Sequence, residues 1–181
     1  MKIYNVRTNI NEYQYLEHKF DANDTSMQLH DADILCRCQH ITESLTPPEV
    51  ISTRPKLKRP EFWNFAPFFT FAVSPASLEK VRHFLEEAGE LLPLPYQSQV
   101  FSVLNVLRCV DYQVFPELAP GRLHQAKAEG NIPHSIFRDL NRVKLYVSET
   151  DGNPATEFKA YVEHAGMTGL IFRQVWDSTQ S

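Results

Sequence analysis

The sequence predicts one α+β domain with a mainly antiparallel or mixed sheet and two principal helices. Three observations lead to that class. Runs such as Phe68-Phe69-Thr70-Phe71-Ala72-Val73 and Val143-Lys144-Leu145-Tyr146-Val147 have the β-branched and aromatic composition, or the alternation, of strands. Two further stretches place apolar residues at helical spacing behind a Ser-Pro or Asn-Pro start. The chain has 181 residues, 43% hydrophobic and 22% charged, which is one ordinary domain with enough residues to bury a core without staples.

The elements follow in chain order. The N-terminal third is the least regular, and between residues 11 and 33 it carries six acids against one lysine. Such a segment either imitates nucleic acid, steers a basic partner or forms a solvated face. Ile34 to Ile41 reads as a strand, which would put Cys36, Cys38 and His40 on one face. Thr46-Pro47-Pro48 ends it, and the prolines of Arg54-Pro55-Lys56-Leu57-Lys58-Arg59-Pro60 make that basic stretch an exposed loop.

Next comes the strand ending at Val73. Ser74 and Pro75 then open a helix whose apolar face is Leu78, Val81, Leu85 and Ala88, with Gly89 as a left-handed stop. Leu91 to Pro95 is extended by its prolines, and Val100 to Leu107 is a strand. After the strand at Val143 to Val147, Asp151-Gly152 makes a turn and Asn153-Pro154 opens a second helix. Phe158, Tyr161, Val162 and Ala165 form its apolar face, Gly166 ends it, and Leu170 to Trp176 is the closing strand. Residues 1–60 are thus an acidic N-terminal segment packed on or extending a scaffold over 61–181.

Net charge is -4 and the pI is near 6.0, without the basic footprint that displaces counterions from nucleic acid. No apolar run follows the first residues as a secretory signal would need, and the most apolar stretch, Phe62 to Val73, falls well short of the ~20 residues of a spanning helix. A cytoplasmic protein without membrane contact is expected. Its three cysteines, an odd number, are read as reduced thiols.

Few residues are arranged for chemistry. Cys36, Cys38 and His40 are the best metal candidates, and would make the chain a metal-dependent or thiol enzyme. Their spacing is not that of a structural zinc knuckle and no second cluster exists, so small buried residues are the plainer reading. Asp31-Ala32-Asp33 looks like a cation clamp but has no phosphate loop near it, and reads as a solvated turn. With no G-x-S-x-G elbow, no H-E-x-x-H helix and no Walker loop, neither an enzyme nor a cofactor is expected. Trp63, beside the basic loop, is either an exposed anchor for a protein partner or a core residue.

The C-terminal two thirds resemble a known family. Phe71-Ala72-Val73-Ser74-Pro75-Ala76-Ser77-Leu78 leading into a helix, Gly89-Glu90-Leu91-Leu92-Pro93-Leu94, Val103-Leu104-Asn105-Val106-Leu107 with Asp111, Lys144-Leu145-Tyr146-Val147-Ser148, Glu157-Phe158, and Gly166-Met167-Thr168-Gly169-Leu170-Ile171-Phe172 are similar, in order and spacing, to the eleventh class of immunity proteins of bacterial polymorphic toxin systems. The likeness covers about residues 68 to 176. It implies a small cytoplasmic protein that binds a cognate toxin domain and blocks its active site or substrate groove, with a nuclease as the toxin class the acidic segment suits. It transfers no catalytic residue. Asp31, Asp33 and Trp63 are the residues expected to touch the partner, and Gly166, Thr168 and Gly169 are expected to be structural.

Overall fold

Two sheets share one core in the computed structural model, which describes residues 1–19, 35, 37–41, 49–66, 70–110, 135–139 and 144–179. The strands are β1 (Lys2–Thr8), β2 (Tyr15–His18), β3 (Val50–Thr53), β4 (Phe62–Ala66), β5 (Thr70–Val73), β6 (Gly89–Tyr96), β7 (Gln99–Val106), β8 (Cys109–Val110), β9 (Ile136–Asp139), β10 (Lys144–Glu149) and β11 (Leu170–Asp177). The helices with described bounds are α1 (Pro75–Ala88) and α2 (Phe158–His164). One sheet runs β11-β1-β10-β9-β8 and the other β3-β2-β4-β5-β7-β6. All pairings are antiparallel except β2 with β4 and β8 with β9. The α+β class, the mixed and mainly antiparallel pairing and two principal helices are those the sequence predicts, and the division of the strands into two sheets is an addition.

Side-chain alternation assigns the faces. Tyr4 and Val6 of β1, Leu145 and Val147 of β10, and Ile136 of β9 point into a core that also receives Phe62, Phe71, Val73, Leu104 and Val106 from the second sheet. Both helices close this core, α1 with Val81, Phe84 and Leu85 and α2 with Phe158 and Val162. Phe158 lies at its centre, with ring centroids 5.8 Å from Phe62, 6.0 Å from Phe84 and 6.4 Å from Phe71.

The opposite face of the second sheet has a core of its own. The sheet curls until β3 and β6, its two edges, come within 8 Å of each other between Cα atoms. Leu16, Val50, Trp63, Phe65, Leu94, Phe101 and Val103 fill the inside of the curl. Pro93 and Pro95 lie two apart on the edge strand β6, so their missing N–H groups share the side away from β7 and blunt that edge.

The first 60 residues supply three of the described strands, and β1 lies between β10 and β11. Several local expectations are corrected. Gly89 is no left-handed stop: its φ is 174, it passes straight into β6, and a Cβ there would stand 1.9 Å from the Asn105 carbonyl oxygen. A glycine is required by that close backbone approach. Ser74 holds the N-cap position of α1, but its hydroxyl donates to Ser77 Oγ at 3.1 Å and caps no backbone N–H. The second helix begins at Phe158, four residues after Pro154. Asn153 Oδ1 accepts from the Ala155 N–H at 2.9 Å, which makes a turn in place of a first helical turn. Glu157 then reaches back to accept from the N–H groups of Thr150, Asp151 and Gly152.

Candidate interaction surface

The expected site residues do not come together. Trp63 is 2% exposed, inside the curled sheet against Phe101 and Tyr96 at centroid distances of 5.6 and 6.1 Å. This corrects its reading as an exposed anchor and selects the core alternative. Asp31, Asp33 and Cys36 lie outside the described residues. The strand read over 34–41 is absent from the described part of that segment, where residues 37 and 38 form a turn and Cys38 has φ 55. Cys38 and His40 therefore lie on no strand face. Cys38 is instead disulfide-bonded to Cys109, with Cα atoms 5.9 Å apart, which corrects the reading of these two cysteines as free thiols. His40 Nδ1 stands 3.7 Å from Glu90 Oε1 at the surface. Among the described residues, no three His, Cys, Asp or Glu side chains are grouped to hold a metal ion.

Exposed apolar residues mark a different place. β11 is an edge strand of eight residues whose only neighbour among the described residues is β1. Ile171 on it is 44% exposed, and register pairs it with Arg7, as it pairs Arg173 with Asn5. Cross-strand partners share a face, so Arg7, Ile171 and Arg173 lie together on the outer side of the β1 and β11 pair.

Arg7 is held in place from below. Asn5, 4% exposed, donates from Nδ2 to the Leu145 carbonyl at 3.0 Å and accepts from Arg7 Nε at 2.7 Å. The outer edge of the guanidinium is left facing outward. Arg7 also lines a cavity of about 340 Å³ with Ile10, Asn64, Phe71 and Lys144, and Ile10 is itself 39% exposed. The outcome is an exposed Ile171 flanked by Arg7 and Arg173 on one face, on an edge strand with no second neighbour among the described residues.

The corner that launches β11 is built from the glycines and threonine of the C-terminal motif. Gly166, with φ 62, closes α2 in a Schellman arrangement: its N–H donates to the Glu163 carbonyl and the Met167 N–H to the Val162 carbonyl. The Thr168 N–H donates to Glu61 Oε2 at 2.8 Å, its hydroxyl donates to the same oxygen, and the Phe62 N–H donates to the Thr168 carbonyl at 3.1 Å. Gly169, with φ 105, passes so close to Phe62 that a Cβ would lie 2.0 Å from its carbonyl oxygen. The structural role read for these residues is what the corner displays.

Burial pushes the Glu61 carboxyl up, and the two hydrogen bonds from Thr168 outweigh it, so the group is held below its ordinary value of 4.5. Stability from Glu61 is therefore fully present above that value and lost as pH falls through the lowered one. Glu61→Gln is expected to cost about 1–2 kcal/mol at neutral pH and to flatten the acid limb of a thermal-unfolding profile.

A second network anchors α2 to β1 and β10. Lys159 Nζ lies 3.2 Å from Glu149 Oε1, 2.7 Å from Glu163 Oε2 and 4.4 Å from the Tyr4 ring centroid, while the Tyr4 hydroxyl donates to Glu149 Oε2 at 2.9 Å. Burial pushes the Lys159 ammonium down, but its bonds to Glu163 and Glu149 raise it overall. Burial and the bond to Glu149 both raise the Tyr4 phenol. Both groups hold their protons more tightly when folded, so their stabilisation is complete below the ordinary values of 10.0 and 10.5 and is lost above them. The melting temperature is expected to fall as pH rises past 10.0, with a shallower slope for Tyr4→Phe.

Comparison with known proteins gives no assignment. No family model, no curated protein and no solved structure matches the chain. No helix of the described residues is long and apolar enough to cross a membrane. Sequence reasoning missed Arg7, Ile10 and Ile171 because exposure is set by which strand ends at the sheet edge, and strand order is not written in any local pattern.

Proposed function

We propose that this protein is an immunity protein, acting in the cytoplasm, that binds a cognate bacterial toxin domain and occludes its active site or substrate groove. The observation that carries this reading is the location of the segment Gly166 to Phe172. The residues that resemble the immunity family build the corner that leads into β11, an edge strand with β1 as its one neighbour among the described residues and with Ile171 exposed on it. An open edge offers backbone donors and acceptors to a partner, and a neighbouring apolar residue supplies burial. Arg7 and Arg173, on the same face, favour a partner surface that combines carboxylates with an apolar centre. Asp31 and Asp33 are proposed as a second contact, directed at a basic groove such as that of a nuclease.

Affinity capture of the toxin domain encoded beside this chain tests the reading. Wild-type protein is expected to retain it in equimolar amounts. Ile171→Asp and Arg7→Glu are each expected to weaken the complex about tenfold or more while leaving the melting temperature of the free protein within a few degrees. Capture that is unaffected by both substitutions removes β11 as the interface, and absence of capture by wild type removes the function.

A further inference from the structure

The inside of the curled sheet is closed at one end by residues 35 and 37–41. Leu35 is 5% exposed among Trp63, Phe65 and their neighbours, and Ile41 packs on the same cluster. Polar contacts fix the segment: the Ile41 N–H donates to Glu90 Oε1 at 2.9 Å, and Nδ2 of the fully buried Asn105 donates to the Gln39 carbonyl and to Glu90 Oε1, both at 2.9 Å. One covalent contact is added, from Cys38 to Cys109 at the start of β8, which lies in the other sheet. Cys38 has a positive φ that residues other than glycine seldom adopt, so the surroundings hold its backbone there. Both cysteines are only partly buried, within reach of a small thiol.

We propose that the Cys38–Cys109 disulfide is a reversible clasp, fastening residues 37–41 over the aromatic interior of the six-stranded sheet, and that a dithiol reductant opens it. A thiolate of the reductant attacks one protein sulfur, forming a mixed disulfide and releasing the other cysteine as a thiolate that takes up a proton. The second thiol of the reductant then displaces the first cysteine. Two electrons and two protons pass to the protein, and the reductant leaves as its own disulfide. The covalent tie is then gone, and the hydrogen bonds to Glu90 and Asn105, each contributing modestly at a partly exposed site, remain together with the packing of Ile41. Opening loosens the cover over Trp63 without disturbing β1 and β10, which carry neither cysteine and are separated from β8 by β9.

Thiol alkylation and hydrogen exchange test the clasp on the full chain. After treatment with an oxidised dithiol and removal of excess, denaturing alkylation is expected to label Cys36 and to leave Cys38 and Cys109 protected. Adding dithiothreitol is expected to speed amide exchange at residues 37–41 by about tenfold or more, with β1 and β10 unchanged. Cys38→Ser or Cys109→Ser, whichever yields folded protein, reproduces the loosened state without reductant, and Cys36→Ser does not. Alkylation of Cys38 and Cys109 after oxidation overturns the proposal. So does unchanged exchange on reduction, or a stoichiometric metal ion that is lost from Cys38→Ser.

Discussion

Gly169→Ala is expected to destabilise the protein by about 3–5 kcal/mol, lowering the melting temperature by about 10 °C or more. Two effects add. The added Cβ would meet the Phe62 carbonyl oxygen at 2.0 Å and the Pro60 side chain at 2.8 Å, and an L-residue at φ 105 is strained whatever the space around it. The obstacle is backbone, so it cannot swing aside. Gly152 and Gly166 separate the two effects, since they also have positive φ, 75 and 62, but nothing lies within 4 Å of a Cβ built on them. Alanine at either is expected to cost only about 1 kcal/mol, the conformational part alone. Equal losses at all three positions in a thermal melt would contradict the packing assigned to the corner.

Trp63→Ala is expected to cost about 3–5 kcal/mol, because the indole is 2% exposed and its removal leaves a cavity lined by Tyr96 and Phe101. Trp63→Phe is expected to be far milder. It keeps a ring in contact with both neighbours and removes an indole N–H that has no acceptor among the described residues. Urea unfolding of the two variants decides the matter. A Trp63→Ala protein as stable as wild type would return Trp63 to the surface and to the list of partner contacts.

Local chemistry was legible in the sequence. Ser74-Pro75 started α1, the apolar spacing gave its buried face, and Gly166 ended α2, because each depends on residues within one or two turns. Long-range placement was not. Lys159 reads as a solvent residue by type, yet it is 8% exposed because Glu149, Glu163 and the Tyr4 ring surround it from three elements. Gly89 looked like a helix stop, and its real constraint is a β7 carbonyl sixteen residues away in sequence, at Asn105. The alternation over 34–41 suggested a strand, but tertiary contacts with Glu90, Asn105 and Cys109 bend that segment across the sheet end. The candidate surface was invisible for the same reason: Arg7 and Ile171 are 164 residues apart and become neighbours only because β1 is inserted beside β11.

The proposed function requires a bacterial toxin domain encoded beside this chain, and inhibition of such a domain is its most direct test. Titrating wild-type protein into that domain is expected to abolish its activity at an equimolar ratio, with Ile171→Asp needing a large excess to do the same. A toxin domain that stays fully active in saturating wild-type protein would contradict the assignment.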